Sequence, residues 1–375
     1  MKMQKKCSWI CIFFEICLEM WIVFSTFVAK NESIMKKNTL NELPPKKVVL
    51  VIGNGFDLDM GFRTSYTDFV NSIYFKYLID PNQENPVEMM EGVDEDKLIR
   101  IPNGMASYVM EEKEHNNWVD LEECIRKYCE MQTPSAEEKE RLRRELFSIR
   151  YMLYHYLSRV VYYQFEDRDP YFKNRIAYKL LEGIVNENVS YEIWDFNYTF
   201  TCETVLERLN VDSNVISNHL HYIHGQLRRD NGYERWPIIL GSDSTEKLEQ
   251  ICPSAVKCHT RDYFDNCSAF KADLKEAETV VFMGHSMGST DRPYFSKMLQ
   301  SEKLKSVVVI TKSEASINDF RANINAASDN LFAQRTQDTS LREVTYTSEG
   351  YYDLYNTIDA KKSKEFADVI HMIVF

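Results

Sequence analysis

Residues 280–293 read VVFMGHSMGSTDRP, a glycine-flanked serine directly after an apolar run. The G-x-S-x-G spacing is the one that presents a nucleophilic serine, here Ser286, on a strand-to-helix elbow. Other short polar stretches also follow apolar runs. Gly53-Asn54-Gly55-Phe56-Asp57 follows KKVVLVI. Its glycines permit positive φ and close backbone approach to an anion, whereas Asp57 repels phosphate and suits a ribose hydroxyl. Asn197-Tyr198-Thr199 comes at the end of YEIWDF, and the Asn197 amide can orient a water or a sugar hydroxyl, or simply cap the next helix. His224-Gly225 follows LHYI. An imidazole there has the reach and titration range of a general base, or else is a core histidine. Gly241-Ser242-Asp243 follows PIIL, and Gly284, His285 and Ser286 lead on to Asp291-Arg292-Pro293. In that last stretch Asp291 is a good helix N-cap and Pro293 suits a first helical turn.

These stretches act together only if one scaffold carries them to a common edge. Apolar runs bounded by turn residues predict strands over KKVVLVI and at 191–196, 220–224, 237–241, 279–283, 304–310, 342–347 and 368–374. Helical patterns separate most of them, notably at 265–277, 293–302 and 314–327. That alternation predicts an α/β, doubly wound, mostly parallel Rossmann-like sheet, in which ligands bind outside the carboxyl ends of the strands. The strand-end loops then form one polar cleft. Between the first two strands the pattern is helical: NNWVDLEECIRKYCEM, with Asn117 as N-cap, and the long amphipathic SAEEKERLRRELFSIRYMLYHYLSRVVYYQF. The tyrosines 151, 154, 156, 162 and 163 in it read as core packing. The resulting organisation is an N-terminal extension over 1–45, a Rossmann-like domain over 46–80 and 188–375, and a helical insertion over 81–187.

A chain of 375 residues can hold a full α/β core and a second module. Its net charge of −12 argues against nucleic acid as the main partner. Nine cysteines without a C-x-x-C pair read as reduced cytosolic thiols. The nearest thing to a metal cluster, Cys252, Cys258, His259 and Cys267, fits no common zinc spacing, so no metal is expected. Residues 8–29 are apolar and long enough to span a bilayer, but Glu15 and Glu19 lie inside them, and a central carboxylate costs roughly 2.5–3.5 kcal/mol. Three readings stay open there: a membrane anchor, a signal peptide with a poor cleavage site, or an extension ahead of a native start at Met35. Localisation is accordingly expected to be cytoplasmic, or membrane-anchored through that segment.

LVIGNGFDLDMGFRTSYTDF, NNWVDLEE, FNYTFTCE, YIHGQL, IILG and MGHSMGSTD occur in an order and form that resemble the AbiH family of bacterial phage abortive-infection proteins. That family in turn is distantly similar to the sirtuin-type NAD-binding fold. The resemblance implies NAD as ligand or substrate, with Asn197 and His224 catalytic. Gly53, Asn54, Gly55, Asp57, Gly284, His285, Ser286 and Asp291 would hold the nucleotide. It implies an abortive-infection protein that hydrolyses the nicotinamide–ribose bond without a metal, Asn197 holding a water and His224 taking its proton. A phage-derived trigger and a homo-oligomer are the expected partners. Two other functions remain open: a non-catalytic nucleotide-sensing or partner-binding module, and a serine hydrolase pairing Ser286 with His371 through Asp319, Asp329 or Asp353.

Overall fold

β1 (Lys47–Ile52) is buried along all but its first residue, as a strand covered on both faces must be. It pairs in parallel with β2 (Ser190–Asp195), which pairs with β3 (Leu220–Tyr222). On its other side β1 pairs with β4 (Thr279–Met283), followed outward by β5 (Ser306–Thr311) and β6 (Arg342–Thr347), all parallel. The order β3-β2-β1-β4-β5-β6 is that of a doubly wound Rossmann-like sheet. The computed structural model describes residues 46–87, 98–101, 103–116, 120–166, 172–187, 189–227, 238–242, 245–257, 261–288, 291–295, 297–351 and 358–375. Residues 1–45, Asn117, Asp243, Cys258, His259 and Asp353, on which several of the expectations fall, lie outside them.

Along the strands the side chains alternate between two layers, as the period of two requires. Val48, Leu50, Ile52, Val281, Met283, Val308 and Ile310 share one cluster, and Val49, Val51, Val280, Phe282, Val307 and Val309 share the other. In sequence order, Gly53 leads from β1 into α1 (Asn54–Asp59), and then come α2 (Tyr66–Asn71), α3 (Ile73–Ile79), α4 (Met105–Asn116), α5 (Leu121–Met131) and α6 (Ala136–Glu166). α7 (Ile176–Asn186) precedes β2, and α8 (Thr201–Arg208) and α9 (Ser213–His219) follow it. After β3 lie α10 (Glu246–Ile251) and α11 (Arg261–Glu276), and after β4 the single turn α12 (Arg292–Phe295). α13 (Glu314–Ala327) and α14 (Leu331–Gln337) follow β5, and α15 (Ala360–Val374) closes the chain. Leu180, Leu181, Val205, Phe366 and Ile373, from α7, α8 and α15, cover the first face, while Phe270, Leu274, Phe320 and Ile324, from α11 and α13, cover the second. Helices α2 to α6 pack with α10 around a third cluster that includes Phe69, Val109, Ile125, Leu146, Met152 and Leu248.

The elements depart from the sequence expectation in four places. α5 is capped by Asp120, whose carboxylate accepts the Glu123 N–H at 3.0 Å. The stretch at 237–241 is no strand among its described residues but a single antiparallel bridge, Gly225 to Ile238. Its backbone is used elsewhere: the Ile239 N–H donates to His224 O at 2.7 Å, and Leu240 O accepts Arg150 Nε at 3.1 Å. The expected helix at 293–302 is split into α12 and a 3-10 turn over Met298–Gln300. Finally, 368–374 is helical, within α15, where Phe366, Val369 and Ile373 are buried at helical spacing behind an Asp359 cap. A seven-residue apolar window satisfies periods of 2 and 3.6 alike, and the cap lay outside it. Tyr151 and Tyr156 are buried, the latter donating to Arg63 O at 2.6 Å. No helix among the described residues is long and apolar enough to cross a membrane.

Candidate functional site

The parallel register aligns Ile52 with Asp195 and with Met283, so the loops after β1, β2 and β4 leave the sheet side by side. Outside them opens a cleft of about 520 Å³. Asn197, His224, Gly53, Asn54, Gly55, Asp57, Gly284, His285, Ser286 and Asp291 all line it, together with Asp120, Glu122, Lys312 and Asp319. It sits where the strand order reverses, between β1 and β4. The glycines there serve a purpose other than the one their sequence implies. A Cβ on Gly55 would lie 2.5 Å from Gly284 Cα, and one on Gly53 would lie 2.6 Å from His285 Cα. Gly284 itself has φ of +63°. The two loops therefore close on each other: Gly53 N–H donates to Met283 O and Gly55 N–H to Gly284 O, both at 3.0 Å, while Gly284 N–H donates to Ile310 O at 2.8 Å. Those three donors are spent on carbonyls within the protein.

Deeper in the cleft lies a cluster of charges. Asp291, just ahead of α12, turns its carboxylate inward: Oδ2 is 3.5 Å from His285 Nε2, and Oδ1 is 3.7 Å from both His224 Nε2 and Lys257 Nζ. The Met287 N–H donates to His285 Nδ1 at 3.0 Å, so the His285 proton sits on Nε2 and faces Asp291. Lys257, buried, donates to Glu122 Oε2 at 2.7 Å and to His224 Nε2 at 3.2 Å. An ammonium taken out of water persists only when paired, and Glu122 and Asp291 supply the pairing. Burial, then Lys257, holds His224 down to about 3, so its imidazole is neutral and weakly basic near pH 7. Burial pushes Glu122 up to about 7 against the pull of Lys257. At Asp291 burial opposes the charge, but Lys257 and the two histidines outweigh it and hold the carboxyl well below the usual range.

The sequence that builds this site matches a known protein family. The family model described as bacteriophage abortive infection AbiH matches residues 49–312, more than half of the chain, from β1 to just beyond β5. The chain belongs to the AbiH family. It is therefore a phage abortive-infection defence protein. No curated protein matches it.

The AbiH cleft has a second buried group, beside the glycine seam. The Asn197 N–H donates to Asp195 Oδ1 at 2.8 Å and its Nδ2 to Gly53 O at 3.1 Å, which fixes the amide at the end of β2. Asp57 Oδ2 accepts the Thr199 hydroxyl at 2.7 Å, while its Oδ1 is buried without a hydrogen-bond partner. Burial pushes the Asp57 carboxyl up to about 6. Asp195 also keeps one buried oxygen without a partner, and burial followed by the charge of Asp57 drives its carboxyl well above the usual range. Asn54 Oδ1 accepts the Thr64 hydroxyl at 2.6 Å.

Among the described residues of this AbiH chain the serine-hydrolase constellation is not assembled. Residues 284–288 form a loop with no helix directly after Ser286, and the next described helix starts at Arg292, so Ser286 stands on no strand-to-helix elbow. His371 lies on α15 beside Met372, whose carbonyl accepts Lys46 Nζ at 3.2 Å at the start of β1, the sheet edge opposite Ser286. Gly241 and Ser242 do not line the cleft but brace Lys257: the Ser242 N–H donates to Ala255 O at 2.8 Å, and the Lys257 N–H to Ser242 O at 3.0 Å. Cys252 and Cys267 belong to different cores.

Sequence reasoning missed Glu122, Lys257 and Asp195. Each looked like an ordinary charge on a helix, in a loop or at the end of a strand. The one available signal was the repeated acid of DLEE in a stretch already quoted for its family resemblance.

Proposed function

We propose that this protein acts in phage defence by binding a nucleotide, NAD, in the strand-end cleft and hydrolysing its nicotinamide–ribose bond. The observation that carries the reading is the meeting of Asn197, Asp57 and Asp291 in one cleft at the reversal of a Rossmann-like strand order. In this reading the C1′–N bond breaks and its electron pair leaves with neutral nicotinamide. The ionised Asp291, fixed by Lys257, faces the positive charge that develops on the ribose. Asn197 orients a water that bonds to C1′. The proton of that water passes to Asp57, whose unpartnered Oδ1 and titration near 6 suit a base at neutral pH better than His224 does.

Nicotinamide release from NAD by the purified protein, with and without phage lysate, tests this. Release should fall at least about 100-fold in Asp57→Asn and in Asn197→Ala, and should rise as pH passes upward through about 6. Absence of release under every condition overturns the reading. A second reading, a module that binds a nucleotide without turning it over, is favoured by the weak basicity of His224. Retained NAD binding without nicotinamide release would select it.

A further inference from the structure

Cys129 on α5 and Cys252, directly after α10, belong to the core in which the insertion helices meet α10, and they are 0% and 1% exposed. Their side chains are hydrogen-bonded to each other, thiol to thiol. The packing that joins them extends along both segments. Thr245 Oγ1, at the start of α10, donates to Glu130 Oε1 at 2.7 Å, next to Cys129. Glu122 precedes Cys129 on α5 by about two helical turns, and Lys257 follows Cys252 along the chain. Helix α5 therefore grips this stretch twice, through the Lys257–Glu122 ion pair at 2.7 Å and through the thiol pair. The two thiols are unlike. Cys252 is held below the usual thiol range, against its burial, first by the Cys129 thiol and then by the Ser254 hydroxyl at 3.4 Å, the Ala255 N–H and the Arg150 guanidinium. Arg150 is fixed there by donating from Nη2 to Ser254 O at 2.7 Å. Cys129, the donor of the pair, is raised, and burial raises Cys124 and Cys202 as well. A lowered thiol touching a second thiol is the arrangement of a redox-sensing pair, one sulfur attacking and the other resolving.

We infer that Cys252 and Cys129 are an oxidative modification site, closed by hydrogen peroxide into a reversible disulfide that staples α5 to the segment carrying Lys257. In the first step the Cys252 thiolate attacks one oxygen of the peroxide. An S–O bond forms, the O–O bond breaks, and the departing hydroxide takes up a proton and leaves as water, so that Cys252 becomes a sulfenic acid. In the second step the Cys129 sulfur attacks Cys252 Sγ. The S–S bond forms, the S–O bond breaks, and hydroxide leaves as water with the Cys129 proton. The two thiols lose two electrons, and one peroxide becomes two waters. A small oxidant is required because neither sulfur is open to solvent. The site is independent of what the cleft binds.

The full chain, reduced and then freed of reductant, is treated with hydrogen peroxide, digested without reduction and mapped by mass spectrometry. The expected product is a peptide pair linked through Cys129 and Cys252 that dithiothreitol separates again. Because the bond closes a loop of about 120 residues, it should raise the thermal midpoint by about 5 °C or more, and dithiothreitol should reverse the rise. Cys129→Ser should stop at the sulfenic acid, which dimedone traps on Cys252, and Cys252→Ser should leave Cys129 a free thiol. Should either variant fail to fold, the mapping of the unaltered chain still decides. Recovery of both cysteines as free thiols, a bridge from either to a different cysteine, a dimedone label on Cys129 of the Cys252→Ser chain, or a midpoint that the bond does not raise would overturn the inference.

Discussion

The glycine seam between β1 and β4 and the charged cluster around Lys257 share one cleft but are built on opposite principles. At the seam, side chains are omitted so that two backbones touch and satisfy each other's polar groups. In the cluster, long charged side chains from distant segments are driven into the interior, where each is tolerable only because of the others. The seam uses the N–H groups of Gly53, Gly55 and Gly284 on its own carbonyls. The cluster and the neighbouring Asp57 hold oxygen atoms without hydrogen bonds, so the free energy of burial is spent where a ligand can recover it. Order of construction thus separates scaffold from chemistry within a few ångströms.

Breaking the cluster should give the largest effect. Lys257→Met strands Glu122 and Asp291 in the interior and should cost about 3–5 kcal/mol of stability in urea denaturation, while adding Glu122→Gln should return much of it. If the double variant is no more stable than the single one, the cluster is not held together by charge. Asp57→Asn should act with the opposite sign. The folded carboxyl titrates near 6 against an ordinary 3.8, so the stability it confers is complete below about pH 4 and is lost as pH rises through 6. Removing the charge should stabilise the protein by up to about 3 kcal/mol at pH 8 and by little at pH 4. Denaturation midpoints at the two pH values decide this, and an equal gain at both would contradict it.

At the seam, Gly55→Ala forces a Cβ against Gly284 and should cost about 1–3 kcal/mol at any pH, a steric penalty with no titration attached. A pH-dependent loss there would merge the two regions that the comparison separates. Ser286→Ala, on an exposed loop residue, should change stability by less than about 0.5 kcal/mol and leave the chain as reactive or unreactive toward fluorophosphonates as before.

The two regions also differ in how far the sequence exposes them. Gly53, Gly55 and Gly284 stand out because a glycine after an apolar run is local information, even though their true neighbours are each other. Asn197 and His224, which line the cleft, stand out for the same reason, as polar residues at strand ends. Lys257 could not be found this way. Its neighbours lie 135 and 33 positions away in sequence, and nothing local distinguishes a buried lysine from a solvated one. The ring of His224 was legible at the end of its strand, but the ammonium beside it was not. The C-terminal helix was lost to the shortness of its apolar window, whereas the long helix α6 was legible because its pattern runs for 31 residues.

Arg150 of α6 reaches across to the carbonyls of Leu240 and Ser254, at 3.1 and 2.7 Å, and so clamps the two strands of chain that flank Lys257. Glu122, on α5, completes the grip from the same side. The helices spliced between β1 and β2 are for that reason a bracket and not an ornament. A trimmed chain that kept only the sheet and its covering helices would retain the glycine seam and the amide of Asn197, but it would inherit an empty frame, because the part that sets the cleft's charge is bolted on from the splice.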